Sequence, residues 1–407
     1  MIRRTGSLQK PRRISARRFF KAIVQCIEIT PYYIVPAGEL QISSAICYND
    51  LMNMQDTKEQ FANKLLHWYA DHQRVLPWRE DPSPYHVWLS EIMLQQTRVE
   101  AVIAYYHRFL AALPDIPALA AADEDTCLKL WEGLGYYRRV RSLHRAAKLL
   151  VEQYDGRLPS TREALLQLPG IGDYTASAIA SIAFGQQEAA IDGNLLRIFS
   201  RLTAYGENIL ATAAHRKAKE FFTARISKEH PGAFNQALMD LGAGICLPHT
   251  APHCSSCPLA AFCRAHACSR ENDFPHRPPK KKRSVEKRTV FLIHVPGGVL
   301  LHRRAEDQLL GGLPEFPNLP GWLSQKEALD HVTRLGFEPL RITSLPAAKH
   351  IFTHLEWHMH GYEIHTGDWQ KKPGIPEGYF TADNEAIETI WSIPSAFAVY
   401  RKHLLGK

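Results

Sequence analysis

The sequence predicts a mainly helical domain followed by a smaller α+β domain, and three observations lead to that fold class. From about residue 56 to residue 269, apolar residues recur at spacings of three and four, which is the pattern of amphipathic helices. Residues 270–288 are rich in proline and basic residues, a composition typical of a linker. From residue 289 to residue 407 the pattern changes to short β-type runs.

Within the first domain, short loops containing proline or glycine separate the predicted helices. The clearest helical segments are 58–70, 85–96, 139–151 and 175–183. In the second domain, 289–295 and 299–303 are predicted strands on either side of a Pro-Gly-Gly turn. Residues 350–360 alternate in polarity, which predicts one half-buried strand. In this segment mostly polar residues alternate with Ile351, Thr353, Leu355, Trp357 and Met359.

Residues 1–55 differ from the rest of the chain because they contain several Arg-Arg pairs and no acidic residue before Glu28. An Arg-rich and acid-poor start is typical of a mitochondrial presequence. We favour two simpler interpretations, a poorly ordered basic leader or a start codon placed upstream of the true start at Met52 or Met54. A secretory signal is not expected, since Lys21 and Glu28 interrupt any apolar core.

The composition narrows the class of protein. An apolar fraction of 45% and a charged fraction of 22% are those of an ordinary globular protein. The 49 Lys+Arg against 41 Asp+Glu give a net charge of +8, the sign expected of a nucleic-acid binder, although many basic proteins bind none. No stretch approaches the roughly 18 uninterrupted apolar residues of a membrane span, so we expect no integral membrane protein.

Half of the eight cysteines, Cys246, Cys254, Cys257 and Cys263, fall in one short loop with spacers of seven, two and five residues. Clustered thiols in a chain without a secretion signal indicate metal ligands. Both a zinc ion and a [4Fe–4S] cluster fit four thiolates. A zinc ribbon usually pairs two C-x-x-C knuckles, and only one is present here, which weighs against zinc. These residues alone do not decide between a zinc ion and a [4Fe–4S] cluster.

The run 168–172, Leu-Pro-Gly-Ile-Gly, precedes an apolar helix. Gly170 and Gly172 let the backbone turn tightly and present free amides at the start of that helix, which suits a phosphate group. The alternative is an ordinary corner between helices. Asp192 follows the helix, so its carboxylate can return to the same end of it.

Glu91 precedes three large apolar residues on a predicted helix. Such a carboxylate lies either on the surface or in a pocket, and in a pocket the loss of water raises its pKa and suits it to donate a proton near neutrality. The following run 95–98, Gln-Gln-Thr-Arg, is a hydrogen-bonding segment suited to wedge into the minor groove. Residues 131–139 interleave aromatic and basic residues around two glycines, which suits stacking on bases beside phosphate contacts, or a core tyrosine beside surface arginines.

Together these segments resemble the MutY family of adenine DNA glycosylases, within the helix-hairpin-helix/endonuclease III superfamily. The resemblance covers roughly 58–400. The residues that carry it are Leu76-Pro77-Trp78-Arg79, Glu91–Arg98, Trp131–Tyr137, Leu168–Thr175, Asp192-Gly193-Asn194 and the cysteine loop. It implies a mainly α helix-hairpin-helix glycosylase domain with an iron–sulfur cluster loop, plus a smaller α+β Nudix-like C-terminal domain.

The resemblance also implies that the four loop cysteines hold a [4Fe–4S] cluster. One departure is the first spacer, which has seven residues where the family usually has six. We expect the longer loop to be tolerated, because ligation requires the thiolates to converge and does not fix the backbone between them. Cys268 is then a spare thiol, or a substitute for one of the ligands.

At the position of Tyr174, the relatives that also cleave the DNA strand carry a lysine whose amine attacks the sugar C1′. This chain has no amine there, so the resemblance implies base excision without an efficient lyase step.

The C-terminal domain is similar to the Nudix-like domain that reads 8-oxoguanine on the opposite strand in this family. Residues 311–317 resemble its loop, and Phe352-Thr353-His354 resembles its recognition turn. The Arg-Glu…Glu-Glu run that holds Mg²⁺ in active Nudix hydrolases does not follow Gly312, so nucleotide hydrolysis is not expected.

The implied reaction is hydrolysis of the N-glycosidic bond of an adenine flipped out of the duplex. Glu91 is expected to protonate adenine N7 and then to guide water, while Asp192 stays ionised and stabilises C1′. Tyr174 and Asn194 are expected to orient that carboxylate and the sugar. Gln96 and Tyr136 are expected to insert beside 8-oxoguanine. The full set of expected DNA and base contacts is Arg79, Gln96, Thr97, Tyr136, Gly170, Gly172, Phe352, Thr353 and His354.

The expected partner is double-stranded DNA containing an A:8-oxoG or A:G mispair, bound by a monomer and not by a membrane protein. The bacterial cytoplasm or nucleoid is the preferred location, and the nucleus or mitochondrion applies if the source is eukaryotic. Two alternatives stay open. One is a bifunctional endonuclease III-like glycosylase/AP lyase for oxidised pyrimidines, and the other is a non-enzymatic DNA-binding metalloprotein.

Overall fold

The structure, a computed structural model, describes residues 58–279, 282–367 and 375–406. The predicted leader 1–55 lies outside the described residues. Among the helices of these three ranges, none has the length and apolar character needed to cross a bilayer.

The first part of the described chain folds as helices joined by short loops. In chain order they are α1 (Lys58–His72), α2 (Pro77–Glu80), α3 (Pro84–Leu94), α4 (Val99–Ala112), α5 (Ile116–Ala121), α6 (Glu124–Leu130), α7 (Arg138–Gln153), α8 (Arg162–Leu165), α9 (Asp173–Ile182), α10 (Gly193–Thr203), α11 (Thr212–Thr223), α12 (Pro231–Gly244) and α13 (Arg264–Ala267). The helices predicted over 58–70, 85–96, 139–151 and 175–183 are α1, α3, α7 and α9.

Several of these helices begin where a polar side chain can accept a free amide of the first turn. Ser83 accepts from the amide of His86, and Pro84 occupies the first helical position of α3. Asp192 does the same for α10 through the amides of Asn194 and Leu195. Local sequence therefore sets the start of the two helices that bear the predicted catalytic carboxylates.

Two hydrophobic cores divide the helical region into two lobes. Trp88 is buried in the core of the first lobe, and Phe61 and Phe234 are buried in the core of the second. Helix α9 packs against α3 in the first lobe and against α12 in the second. Gly232 permits that approach, since a Cβ there would lie 2.7 Å from the Cα of Ile182. Side chains on α9 are thus placed between the lobes.

The C-terminal domain is built on one mixed sheet. Its strands are β1 (Ser284–Val295), β2 (Gly298–Arg303), β3 (Pro314–Glu315), β4 (Asn318–Pro320), β5 (Pro339–Ile351), β6 (Leu355–Thr366) and β7 (Tyr379–Ala382). The order is β3-β2-β1-β6-β5, with β4 paired to β1 and β7 paired to β2. The central pair, β1 and β6, is parallel, and the other pairs are antiparallel. Helix α14 (Gln325–Arg334) packs on one face, and α16 (Ala398–Leu404), which follows α15 (Asn384–Thr389), packs on the other.

The predicted linker 270–288 is partly structured. Its first part docks on the helical region, where the amide of Ile209 donates to the carbonyl of His276 at 3.0 Å. Strand β1 begins at Ser284 and not at residue 289, because its pairing with β6 extends that far. Tertiary pairing here overrides a proline-rich and basic composition.

The single strand predicted over 350–360 is wrong. Ile351 ends β5 and β6 begins at Leu355, with a turn between them closed by a hydrogen bond from the amide of Phe352 to the carbonyl of Leu355 at 2.9 Å. Ile351 is 53% exposed and Thr353 is also exposed. The alternation holds only from Leu355 onward, since a hairpin turn resets which residues face the core.

Candidate active site and DNA-contacting loops

Glu91 lies on α3 and is buried, with 5% of its surface exposed. Its Oε2 accepts a hydrogen bond from the Tyr174 hydroxyl at 2.7 Å. Burial raises the pKa of Glu91 to about 7, and the charge of Asp192 adds to the rise, while the Tyr174 hydrogen bond and the Arg79 charge act against it. A carboxyl group with such a pKa can donate and accept a proton at neutral pH.

Asp192 caps the N-terminus of α10. Its Oδ1 accepts from the amides of Asn194 at 2.8 Å and Leu195 at 2.7 Å, and its Oδ2 accepts from the Asn194 side-chain amide at 2.9 Å. Burial raises the pKa of Asp192, while these three hydrogen bonds act in the opposite direction and favour the carboxylate. The donors also fix the orientation of the carboxylate, and Asn194 lies where the sequence places it.

Three predicted catalytic side chains from different helices interact electrostatically. They are Glu91 on α3, Tyr174 on α9 and Asp192 at the start of α10. The charge of Asp192 raises the pKa of both Glu91 and Tyr174. The Tyr174 hydroxyl donates to Glu91 and also lies 3.9 Å from the sulfur of Met239. Its position on α9 directs the Tyr174 hydroxyl to Glu91, and its role in orienting Asp192 and the sugar stays a prediction.

Sequence reasoning did not single out Arg197, a buried residue of α10. Its Nη2 donates to Asn194 Oδ1 at 3.0 Å and to the carbonyl of Gly242 at 2.8 Å, and its Nε donates to the carbonyl of Cys246 at 2.8 Å. Gly242 is needed here, since a Cβ would lie 2.7 Å from the Cβ of Asn194. Arg197 thereby connects the residue that orients Asp192 to the cysteine loop.

Arg79, predicted as an adenine contact, is held by Asp240 through two hydrogen bonds of 2.8 and 3.0 Å. The buried Asp240 also accepts from Arg74 Nε at 2.7 Å. Arg79 lowers the pKa of Glu91, so its charge acts on the predicted acid. Asp240 was missed because no local pattern relates it to α2.

Gln96 and Tyr136, the residues predicted to insert beside 8-oxoguanine, are exposed and have left-handed backbone conformations, with φ of 59° and 50°. Positive φ is uncommon for residues other than glycine and often accompanies a functional constraint. Helix α3 accordingly ends at Leu94 and not at residue 96 as predicted.

Arg139 holds the two loops that carry Gln96 and Tyr136. Its Nη2 donates to the carbonyl of Gly135 at 3.0 Å and to the Thr97 hydroxyl at 3.2 Å. Its Nη1 donates to the carbonyls of Ile92, Met93 and Gln95. Burial lowers the pKa of Arg139 to about 10. This basic residue of the 131–139 run therefore satisfies carbonyl groups inside the protein, in contrast to the phosphate contact that the pattern suggested.

The Arg139→Met variant is expected to lose about 3 kcal/mol of unfolding free energy, because several carbonyl groups lose their donor. Urea unfolding followed by circular dichroism measures the loss. The neighbouring Arg138 is exposed, so Arg138→Met serves as a control with a change below about 0.5 kcal/mol. Equal stability of the two variants would contradict the assignment.

The predicted phosphate-binding glycines lie at the start of α9. Gly170 has a φ of 81°, and a Cβ there would lie 2.6 Å from the Cβ of Ser142. Gly172 is the N-cap of α9, and both glycines are exposed. The geometry therefore requires glycine at 170, and phosphate binding by Gly170 and Gly172 stays a prediction.

The predicted recognition turn lies between β5 and β6. Phe352 packs edge-on against Trp357, with ring centroids 4.9 Å apart, while Thr353 and His354 are exposed. The Thr353 hydroxyl lies 3.2 Å from the Tyr136 hydroxyl, which belongs to the helical region. The structure thus brings two predicted readers of the opposite base together across the two domains.

A polar network near Tyr136 connects the same two domains. Glu132 Oε1 accepts from Arg401 Nη1 at 2.7 Å and from the amide of Ile393 at 3.1 Å. Lys129 donates to Glu132 Oε2 at 2.8 Å and to the carbonyl of Trp391 at 3.1 Å. Glu132 therefore receives donors from both sides of the interface, a role that its position beside Trp131 did not reveal.

The predicted metal ligands Cys246, Cys254, Cys257 and Cys263 line one cavity behind α10 and α12. Burial raises the pKa of Cys257 to about 12 and that of Cys254 to about 11. Glu271 adds to the rise at Cys254, and the neighbouring cysteines add to it at both. A bound metal centre would offset this repulsion. Cys268 is not among the residues that line the cavity, and it is disulfide-bonded, so the expectation that it is a spare thiol is wrong.

Arg201 adds a positive charge at the edge of this cavity. The residue is buried, and its Nη1 donates to the Cys246 sulfur at 3.1 Å. Cys263 Sγ in turn donates to the Arg201 carbonyl at 3.4 Å. Four convergent thiols beside one guanidinium suit a centre with net negative charge, and the loop is consistent with an iron–sulfur cluster.

Comparison with known families agrees with this fold and site. Residues 89–224 match the HhH-GPD superfamily of base excision DNA repair proteins, and residues 289–400 match the NUDIX domain. The first match includes Glu91, Tyr174 and Asp192. The class defined is a helix-hairpin-helix base-excision repair protein with an added Nudix-like domain.

Similar proteins narrow the class to one family. The chain is 34% identical over 411 residues to the adenine DNA glycosylase of Mus musculus, covering 85% of this chain and 79% of that protein. It is 33% identical over 299 residues to the adenine DNA glycosylase of Buchnera aphidicola subsp. Baizongia pistaciae (strain Bp), covering 72% of this chain and 83% of that protein. The chain belongs to the adenine DNA glycosylase family. Among solved structures, that of a thermostable thymine-DNA glycosylase is 28% identical with a TM-score of 0.47, covering 51% of this chain and 94% of that chain.

Proposed function

We propose that this chain is a monofunctional adenine DNA glycosylase of base-excision repair, which removes adenine paired with 8-oxoguanine or guanine. The observation that carries the proposal is the buried Glu91 carboxyl, hydrogen-bonded to Tyr174 and facing the charge of Asp192, in a chain of this family. DNA is its partner, and the net charge of +8 has the sign that DNA attracts.

The reaction divides between the two carboxylates. Glu91 donates its proton to N7 of the flipped adenine, so that the bonding electrons can leave C1′ with N9 of a neutral base. Asp192, ionised and fixed at the N-terminus of α10, stabilises the positive charge that develops at the sugar. Glu91 then accepts a proton from the water that attacks C1′. Adenine and an abasic site are the products.

Single-turnover release of adenine from A:8-oxoG and A:G duplexes tests this function. We expect release from both duplexes, and strand breaks only after alkali treatment. Nicking without alkali, together with a borohydride-trapped adduct, would establish the bifunctional lyase instead. A chain that binds these duplexes and releases no adenine would be the non-enzymatic DNA-binding protein.

For the opposite strand, we propose that Phe352, Thr353 and His354 read 8-oxoguanine, with Gln96 and Tyr136 inserting beside it. The support is the Tyr136–Thr353 contact and the network at Glu132 that holds the domains together.

The Glu132→Gln variant tests that role of the network. It keeps the shape of the side chain but loses the charge that pairs with Arg401 and Lys129. We expect the rate ratio for A:8-oxoG over A:G to fall several-fold while the A:G rate changes little. Glu306→Gln, which removes an exposed partner of Arg141, is the matched control with an unchanged ratio. A Glu132→Gln ratio equal to that of the unmodified chain would refute the role.

For the cysteine loop, we propose a [4Fe–4S] cluster held by Cys246, Cys254, Cys257 and Cys263. When bound, the cluster supplies a covalent cross-link between the loop and the end of α12. The support is the convergence of these thiols in one cavity, which the seven-residue first spacer does not prevent.

Cys257→Ser is expected to lose most of the bound iron and the broad visible absorption, because one of four ligands is gone. Cys268→Ser is expected to keep both, since Cys268 does not line the cavity. Iron assay and absorption spectra of the purified variants measure this. Loss of iron in Cys268→Ser and not in Cys257→Ser would replace the proposed ligand set.

The domain limits also stand as proposals, with a glycosylase region over 56–269 and an 8-oxoguanine recognition domain over 289–407. We infer that the protein acts as a monomer, in the cell compartment that contains its DNA substrate. The relatives include bacterial and eukaryotic proteins, and we favour the bacterial cytoplasm or nucleoid, with the nucleus or mitochondrion as the eukaryotic counterpart.

A further inference from the structure

A second group of metal-ligating side chains lies in the C-terminal domain, at the end of the parallel pair β1 and β6. His294 on β1 is in register with His365 on β6. Glu363 precedes His365 by two residues, so both side chains leave the same face of the sheet. Helix α16, which packs on that face, contributes His403.

The ligand atoms of His294, Glu363 and His365 all lie within 4.8 Å of one another. His294 Nε2 is 2.8 Å from Glu363 Oε1, and His403 Nε2 is 3.2 Å from Glu363 Oε2. The rings of His294 and His365 stack with centroids 4.3 Å apart and an interplanar angle of 7°. Three histidines therefore surround one carboxylate.

This donor set is that of a transition-metal site. Two or three imidazole nitrogens with one carboxylate oxygen bind Zn²⁺ in tetrahedral geometry, at about 2.0–2.2 Å from each ligand. The side chains are 27% exposed for His294, 20% for Glu363 and 40% for His403, so an ion can enter from solvent. None of them belongs to the glycosylase site described above.

The cluster combines two types of donor that a divalent ion uses. An imidazole nitrogen binds such an ion through its lone pair and a carboxylate through a charged oxygen, so binding competes with protons at these ligands.

We infer that His294, Glu363 and His365 bind a divalent transition-metal ion of the Zn²⁺ class. Bound metal links the ends of β1 and β6, and the contact of His403 with Glu363 connects α16 to them. The inference does not depend on the proposed glycosylase reaction.

Titration of the purified full-length protein, with its cysteine loop intact, with ZnCl₂ by isothermal calorimetry tests the site. We expect the unmodified protein to bind one equivalent of Zn²⁺ at this site. His365→Gln and Glu363→Gln should each lower that affinity more than about tenfold, and the thermal stabilisation by Zn²⁺ should disappear in both variants. His358→Gln is the matched control, because His358 lies on β6 but points to the opposite face, and it should bind as the unmodified chain does. Zn²⁺ binding that survives both site variants, or an unmodified chain that binds no Zn²⁺ at this site, would overturn the inference.

Discussion

Glu91→Gln is expected to slow adenine release about 10³-fold, because glutamine keeps the shape of the side chain but has no proton to donate. Its amide oxygen can still accept the hydrogen bond from Tyr174, so we expect folding and mispair affinity to be largely retained. Single-turnover excision from an A:8-oxoG duplex, with binding measured by fluorescence anisotropy, separates the two effects. Glu100→Gln, on the exposed surface of α4, is the control with an unchanged rate. Normal turnover in Glu91→Gln would refute the acid assignment.

The pH dependence of the excision rate and of the stability follows from the titration of Glu91. With the pKa of Glu91 at about 7, its protonated fraction falls as the pH rises through neutrality, so the excision rate should fall on the alkaline side. The folded protein also holds this proton above the ordinary pKa of 4.5, so stability should decrease as pH rises from about 4.5 to about 7. Both dependences should be absent in Glu91→Gln. A rate that stays constant from about pH 6 to about pH 8 would contradict a protonated Glu91 as the donor.

Asp192→Asn is expected to lower the excision rate about 10²–10³-fold, because the negative charge that stabilises C1′ is lost. Asparagine is also a good N-cap, so α10 should still form. The matched control is Asp115→Asn, which makes the same exchange at the N-cap of α5, where Asp115 accepts from the amide of Ala118. Equal single-turnover rates for the Asp192→Asn and Asp115→Asn variants would show that the carboxylate at 192 only caps a helix.

The sequence determined those features that depend on neighbours along the chain. Apolar spacing located α1, α3, α7 and α9, since helix formation is decided within a few turns. The cysteine spacing likewise identified a metal-binding loop, because its four cysteines are close together along the chain. The candidate carboxylates Glu91 and Asp192 could be named from the residues around them and from the family resemblance.

The tertiary structure alone decided which distant groups meet. No local pattern connects Arg139 to the carbonyls of α3, Arg79 to Asp240, or Glu132 to Arg401. The turn after Ile351 and the start of β1 at Ser284 likewise depended on pairing with β6. The pKa of Glu91 near neutrality arises because packing of α3 against α9 removes water from the carboxyl, while the Tyr174 hydrogen bond that the same packing creates limits the rise. Desolvation and long-range hydrogen bonds depend on how the chain packs in three dimensions, so the order of residues along the chain does not reveal them.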